Sequence, residues 1–201
     1  MSAREDILSN IRARKLSPAP APSEYRAPKA DGDPIAAFIE RSAFFHTEVR
    51  VLDSLADVPG AVAEILRDKN MAAEIHLPSH AELAQLPWAP QLTLKRTTPG
   101  PDDAAVAPAP FALAETGTLV YPARADSPAA WHFQAGLEIA VLRASDILPQ
   151  MEDALARIKA TGPIPHTINF VTGPSRTGDI EQTLELGAHG PKALSVLIVK
   201  D

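Results

Sequence analysis

Near its carboxyl end the sequence reads Asn169-Phe-Val-Thr-Gly-Pro-Ser-Arg-Thr-Gly-Asp-Ile-Glu-Gln182, and Leu186-Gly-Ala-His-Gly-Pro191 follows. The apolar run at 168–171 predicts a buried strand that stops at the turn-forming pair Gly173-Pro174. A second apolar run at 194–199 predicts another strand. Runs that are apolar at nearly every position need cover on both faces, which is typical of strands inside a parallel sheet.

The loop between these two strands has the features of an anion-binding site. Thr177 can cap a short helix that starts near Gly178, and acidic side chains in its first turn suit the helix dipole. A strand, a polar Gly-rich loop and a helix N-terminus together can hold an anionic ligand. The alternative is an ordinary turn with a capped helix, and a structural hydrogen-bonding role for the histidine. The candidate binding residues are Gly173, Ser175, Arg176, Thr177, Asp179, Glu181 and His189.

Strand and helix patterns alternate along most of the chain. This alternation predicts a three-layer α/β/α fold with a mostly parallel sheet. Ser145 would cap a helix that has Pro149 in its first turn, where a missing N–H costs little. The other elements expected are strands at 48–52, 72–77, 92–96 and 137–142, and a helix at 58–66.

The amino-terminal part is predicted to be an arm. Ser2-Ala-Arg-Glu5 has the pattern of a capping box before a short helix. The Pro-rich stretch 17–34 is typical of an extended linker. Asp33-Pro34 should begin a further helix. We therefore divide the chain into a helix and linker at 1–34 and an α/β domain at 35–201.

A second candidate site is Glu115-Thr-Gly-Thr118, which interrupts a long apolar stretch. Glu and Gly are both disfavoured inside strands. A carboxylate flanked by donors there could be a base, a nucleophile or a ligand contact, so Glu115 is the candidate catalytic residue. Thr116, Gly117 and Thr118 are candidate binding residues. The alternative is that Glu115 pairs with a buried arginine or satisfies a turn.

Composition excludes several classes of function. The 201 residues carry a net charge of -6 with no basic cluster, which argues against a nucleic-acid partner. No apolar run approaches the ~20 residues of a membrane span, and the start lacks the apolar core of a signal peptide, so we expect a cytoplasmic protein. The chain has no cysteine and so no thiolates for an iron–sulfur cluster. We also expect no metal, because Pro78 between His76 and His80 prevents a shared helical face.

These motifs together resemble one family. The stretches 114–118, 172–181 and 186–191 are similar to the signatures of the lactate utilization protein C family, whose domain is called the LUD domain. The resemblance extends from the capped amino-terminal helix to the last strand. The sequence departs from the family pattern at Trp131-His-Phe-Gln-Ala-Gly136.

The resemblance implies a CoA-transferase-like fold, of the superfamily that includes sugar-phosphate isomerases. It also implies a part in oxidising L-lactate to pyruvate beside iron–sulfur partner proteins. The clusters would then lie on those partners, since no cofactor is expected on this chain. In CoA transferases of this superfamily a Glu beside a Gly is the nucleophile, and Glu115-Thr-Gly117 is faintly similar.

Two functions therefore stay open. The chain could be a non-redox subunit of a lactate-oxidising assembly, or an acyl- or CoA-transferring enzyme that uses Glu115. In both cases we expect 115–118 and 173–177 to converge on one pocket at the carboxyl ends of parallel strands. Arg176 would grip a substrate carboxylate there through two parallel hydrogen bonds, unless it pairs with Glu115 or Asp179.

Overall fold

The computed structural model describes residues 3–13, 32–178 and 184–200. The helices are α1 (Ala3–Ala13), α2 (Pro34–Phe44), α3 (Val58–Asp68), α4 (Ala81–Ala84), α5 (Ala130–Phe133) and α6 (Met151–Ala160). The strands are β1 (Glu48–Leu52), β2 (Glu74–His76), β3 (Thr93–Lys95), β4 (Ala104–Ala109), β5 (Phe111–Leu113), β6 (Thr118–Pro122), β7 (Leu137–Arg143), β8 (Ile147–Leu148), β9 (Ile168–Val171), β10 (Arg176–Gly178), β11 (Leu184–Leu186) and β12 (Ala193–Val199).

A six-stranded sheet forms the centre of the fold, in the order β1-β12-β7-β4-β2-β3. Its strands all run parallel. The two longest, β7 and β12, pair in register with Leu137 opposite Ala193 and are buried along nearly their whole length. Both faces are covered, as continuous apolar strands require. The predicted three-layer α/β/α fold with a mostly parallel sheet is confirmed.

Each face of the parallel sheet has its own apolar core. On one face, α3 buries Val62 and Ile65 against β7 and the end of β12. On the other face, α2 buries Phe38 against residues of β7 and β12 and of a second sheet. Asp33 starts α2 as predicted, because its carboxylate accepts a hydrogen bond from the Ile35 N–H at 2.9 Å.

The second sheet was not predicted. It has four strands in the order β8-β5-β6-β9, and α6 covers part of it with Ala154 and Ile158. The prediction that 168–171 lies in the parallel sheet is wrong. This strand, β9, is an edge strand paired antiparallel with β6, and Phe170 is 42% exposed. A strand of three apolar residues and one asparagine cannot show which of two sheets will receive it.

Two predicted helices also differ from the structure. The helix expected from Ser145 begins only at Met151, because Ile147 pairs with Ala112 of β5. Pro149 therefore precedes the helix. Where a helix was expected from Gly178, β10 ends at Gly178 and pairs antiparallel with β11, and residues 179–183 of the expected helix lie outside the described residues.

Some expectations fall outside the described residues. Asp179 and Glu181 are among them, as are Ser2 and most of the linker at 17–34. Helix α1 forms as predicted, and its Ile7 and Ile11 are about three-fifths exposed. None of the helices in the described ranges combines the length and the apolar character needed to cross a bilayer.

Candidate functional site

A cavity of about 860 Å³ lies beside the loop that follows β9. Residues 172–177 form one wall, and residues 189–191 and 44–46 form others. The predicted loop residues Gly173, Ser175, Arg176, Thr177 and His189 thus line a single cavity.

The cavity lies at the amino ends of the parallel strands rather than at their carboxyl ends. His46 comes just before β1, and Pro191 comes just before β12. The prediction of a site at the carboxyl ends of the parallel sheet is therefore wrong. The loop does follow the carboxyl end of a strand, but that strand, β9, belongs to the second sheet.

Ser175 links the loop at 172–177 to the loop at 187–191 by hydrogen bonds. Its N–H donates to the Pro191 carbonyl at 2.9 Å, and its carbonyl accepts from the Gly187 N–H at 3.1 Å. The Ser175 hydroxyl accepts from the His189 N–H at 3.3 Å. Because these contacts engage both backbone and side chain, Ser175 holds the cavity wall in shape.

Gly173 allows the same wall to approach the end of α2. It has a φ of +77°, and a Cβ there would lie 2.6 Å from the Phe45 carbonyl oxygen. A larger residue would be strained and would also collide with backbone. The glycine is therefore needed for the wall to pack as it does.

Arg176 supplies positive charge to the cavity. It is exposed, it lines the cavity, and its side chain has no hydrogen-bond or ion-pair partner among the described residues. The described lining contains no Asp or Glu. The alternative in which Arg176 pairs with Glu115 is not observed. A cationic wall whose described residues include no carboxylate suits an anionic ligand.

Glu115 lies elsewhere. Residues 114–117 form the turn of the β5–β6 hairpin, closed by a hydrogen bond from the Gly117 N–H to the Leu113 carbonyl at 3.0 Å. The Glu115 carboxylate accepts from the Met151 N–H at 2.9 Å and so satisfies the first turn of α6. It borders a separate cavity of about 260 Å³. The prediction that Glu115 shares one pocket with Arg176 is wrong.

The two motifs nevertheless touch. Hydroxyl contacts run from Thr116 to Thr118 at 2.7 Å and from Thr118 to Thr172 at 2.6 Å. Thr172 is the first residue of the cavity loop. The Glu-Thr-Gly-Thr turn therefore supports the cavity loop through these hydroxyl contacts.

The aromatic part of the cavity was not predicted from the sequence. Phe44 and Phe45 meet edge to face with ring centroids 5.0 Å apart, and Phe133 and Phe170 complete this wall. Phe44 is 75% exposed. One signal in the sequence was that Phe44 and Phe45 come at the end of α2, after the residues that form its buried face.

The unusual segment Trp131–Gly136 belongs to a buried polar network. Glu138 is fully buried, and its Oε1 accepts from the Tyr121 hydroxyl at 2.7 Å. His132 Nδ1 lies 2.8 Å from the same oxygen, and its Nε2 lies 3.2 Å from the Ser127 hydroxyl. Burial and the Glu138 carboxylate raise the pKa of the Tyr121 phenol well above its usual value, so the phenol stays a donor.

Hydroxyl, imidazole and carboxylate occur here in the order of a hydrolase triad. However, all three side chains are almost fully buried, and Ser127 does not line the large cavity. The network therefore fixes α5 onto the sheet.

Residues 102–199 match the family described as the LUD domain. This part of the chain is similar to the LUD domain. This confirms the resemblance drawn from the sequence motifs. The match includes the cavity loop, the Glu-Thr-Gly-Thr turn and the buried network.

Several relatives are similar over the same part of the chain. Lactate utilization protein C of Geobacillus kaustophilus is 40% identical over 93 residues, which cover 44% of this chain and 39% of the relative. The protein of the same name from Bacillus subtilis is 37% identical over 93 residues, with the same shares covered. The matched part thus spans about two-fifths of the relatives' length.

A solved structure supports the fold over a longer range. The crystal structure of a DUF162 family protein from Deinococcus radiodurans superposes with a TM-score of 0.61, covering 86% of this chain and 99% of that one. The two sequences are 20% identical, so the likeness concerns the fold alone.

Proposed function

We propose that this protein is a cytoplasmic, non-redox subunit of an L-lactate utilisation system, and that it binds a small carboxylate in the large cavity. Iron–sulfur partner proteins would carry the electrons in the oxidation of L-lactate to pyruvate. The observation that carries the proposal is the LUD domain, whose matched relatives are named lactate utilization protein C.

The geometry of the cavity supports a carboxylate ligand. Arg176 presents a guanidinium that is not neutralised by a described carboxylate, and a guanidinium can hold a carboxylate through two parallel hydrogen bonds. Thr177 and His189 offer further polar groups beside it. The aromatic side chains at 44–45 and 133 give the cavity one apolar wall, which can pack against the carbon atoms of such a ligand.

The division of labour follows from composition. The chain contains no cysteine, so its own thiolates cannot hold an iron–sulfur cluster. Electrons would therefore travel through other proteins of the assembly.

The first test is ligand binding to the purified chain. L-lactate and pyruvate would be titrated calorimetrically against the natural protein and against Arg176→Ala, Arg176→Lys and Glu115→Gln. We expect Arg176→Ala to weaken binding about 10- to 100-fold, because a charge-assisted hydrogen-bonded pair is worth about 1.5–3 kcal/mol. Arg176→Lys should fall between, since an ammonium keeps the charge but loses the paired geometry.

Glu115→Gln is the matched control for that titration. Glu115 lies in the other cavity, so its variant should bind like the natural protein while losing a little stability from the α6 contact. Equal affinity of all four proteins, or no binding by any of them, would contradict a carboxylate site at Arg176.

A second test separates this proposal from acyl or CoA transfer by Glu115. The isolated chain would be incubated with acyl-CoA donors and carboxylate acceptors. The proposal expects no turnover, because the Glu115 carboxylate already accepts from the helix α6 N-terminus. Turnover that disappears in Glu115→Gln would favour the transferase instead.

A further inference from the structure

One edge of the parallel sheet carries a cluster that the proposed function does not use. Glu74 and His76 are two residues apart on β2, so their side chains point to the same face. Asp103 directly precedes β4, and β4 pairs with β2 through His76 opposite Ala105. One ligand-type atom from each of these three side chains lies within 4.8 Å of the others.

His76 is held in one orientation. Its side chain is only 3% exposed, and Nδ1 lies 2.7 Å from the Thr97 carbonyl oxygen. A carbonyl can only accept, so Nδ1 carries the hydrogen and Nε2 of the neutral ring presents a lone pair. Metal-bound histidines are typically fixed in this way, with the other ring nitrogen donating to a carbonyl or carboxylate.

The His76 Nε2 atom lies beside the Asp103 carboxylate. It lies 3.2 Å from the Asp103 Oδ2 atom, yet it makes no aligned hydrogen bond with any residue that the structure describes. Asp103 is fixed in turn, because its Oδ2 accepts from the Gly100 N–H at 2.7 Å. A lone pair facing carboxylate oxygen in a buried place is unfavourable without a cation or a second proton between them.

We propose that Glu74, His76 and Asp103 bind a divalent transition-metal ion at this edge of the sheet. One imidazole nitrogen and two carboxylates form a donor set that suits zinc and manganese. Ligands at about 2.1 Å from a tetrahedral metal lie roughly 3.4 Å from one another, so the His76–Asp103 spacing fits and Glu74 has to move slightly inward. Three protein ligands leave at least one position open to water or a small ligand.

Lys95 competes for the same place. Its ammonium pairs with the Glu74 carboxylate from the neighbouring strand β3. The metal ion must displace this ammonium from Glu74. Removing the Lys95 charge should therefore raise the affinity for the metal ion, whereas removing a ligand side chain should lower it.

The sequence did not indicate this site because strand pairing in a sheet, and not helical spacing, brings its residues together. Glu74 and His76 are close through the two-residue strand repeat, and Asp103 joins them only through strand pairing. The expectation of no metal was based on histidine spacing in a helix, which does not apply to residues on neighbouring strands.

The test is calorimetric titration of the full chain, freed of metal with a chelator, with zinc chloride and with manganese chloride. We expect one saturable site per chain. Glu74→Gln and Asp103→Asn should each lower the affinity at least about ten-fold. Lys95→Met should raise it, because the competing charge is gone.

Asp102→Asn is the matched control. Asp102 is the exposed neighbour of Asp103 and pairs with Lys192 at 3.0 Å, outside the cluster. Its substitution should leave the affinity unchanged. Glu74→Gln and Asp103→Asn replace carboxylates that are partly exposed, so both variants should still fold. Their folding would be followed by thermal melting with chelator present. No saturable binding, or equal weakening by Asp102→Asn and Asp103→Asn, would overturn the proposal.

Discussion

Replacing His132 with alanine should destabilise the protein by about 3–5 kcal/mol, the usual cost of leaving a buried carboxylate without one of its partners. Glu138 is fully buried, and His132 supplies one of the two described donors to its Oε1, the Tyr121 hydroxyl being the other. The substitution also removes the imidazole that stacks on the Tyr121 ring at 3.8 Å. For a chain of this length the melting temperature should fall by roughly 6–20 °C.

Glu138→Gln distinguishes two contributions to the cost of His132→Ala: the Glu138 carboxylate left without this partner, and the lost packing of the imidazole. A glutamine oxygen can still accept from Tyr121 and His132, while the charge disappears and the amide replaces the Oε2 atom, which lacks a hydrogen-bond partner among the described residues. This variant alone should be close to neutral. In its background His132→Ala should cost about 1–2 kcal/mol less than in the natural protein. Equal costs in both backgrounds, measured by denaturant unfolding, would show that packing alone is lost.

The second large effect is expected at Gly117, and Gly117→Ala should cost about 2–5 kcal/mol. The residue has a φ of +65°, which a side chain tolerates at a cost of about 1–2 kcal/mol. A Cβ there would also lie 2.7 Å from the Ser42 nitrogen and 2.9 Å from the Arg41 carbonyl carbon. Overpacking against backbone adds about 1–3 kcal/mol, because helix α2 must move to relieve it.

Two variants serve as controls for Gly117. Gly60 in α3 has open space around its Cβ position and no positive φ, so Gly60→Ala should stabilise by about 0.5–1 kcal/mol. Gly117→Asn tests the cause of the loss, because asparagine tolerates the left-handed region. If Gly117→Asn is as stable as the natural protein in thermal melts, backbone strain alone matters and the close approach to α2 is irrelevant.

Glu115 illustrates how a sequence pattern can be read correctly as unusual and still be assigned the wrong place. A Glu-Thr-Gly-Thr stretch inside an apolar run is disfavoured in a strand, and the structure indeed has a turn there. The contact of Glu115 with the N–H of Met151 joins residues 36 apart in the chain. Strand and turn propensities carry no information about such a partner.

Strand 168–171 marks a similar limit. Its apolar character correctly predicted a strand, but it pairs with β6 at the edge of a second sheet. The position of the cavity changed with it, from the carboxyl ends of the parallel strands to the amino ends of β1 and β12. Local hydrophobicity specifies that a segment must be covered and leaves open which neighbour covers it.

Local sequence patterns were enough to predict the alternation of strands and helices, the parallel central sheet, the helix start at Asp33 and the polar loop with Arg176. Each of these depends on residues close together in the chain, through periodicity, capping or turn chemistry. The tertiary structure alone decided that Glu115 faces away from Arg176, that His132 and Tyr121 share Glu138, and that Asp103 reaches His76. Those contacts arise from strand pairing and layer packing between distant segments, and short-range sequence patterns do not encode them.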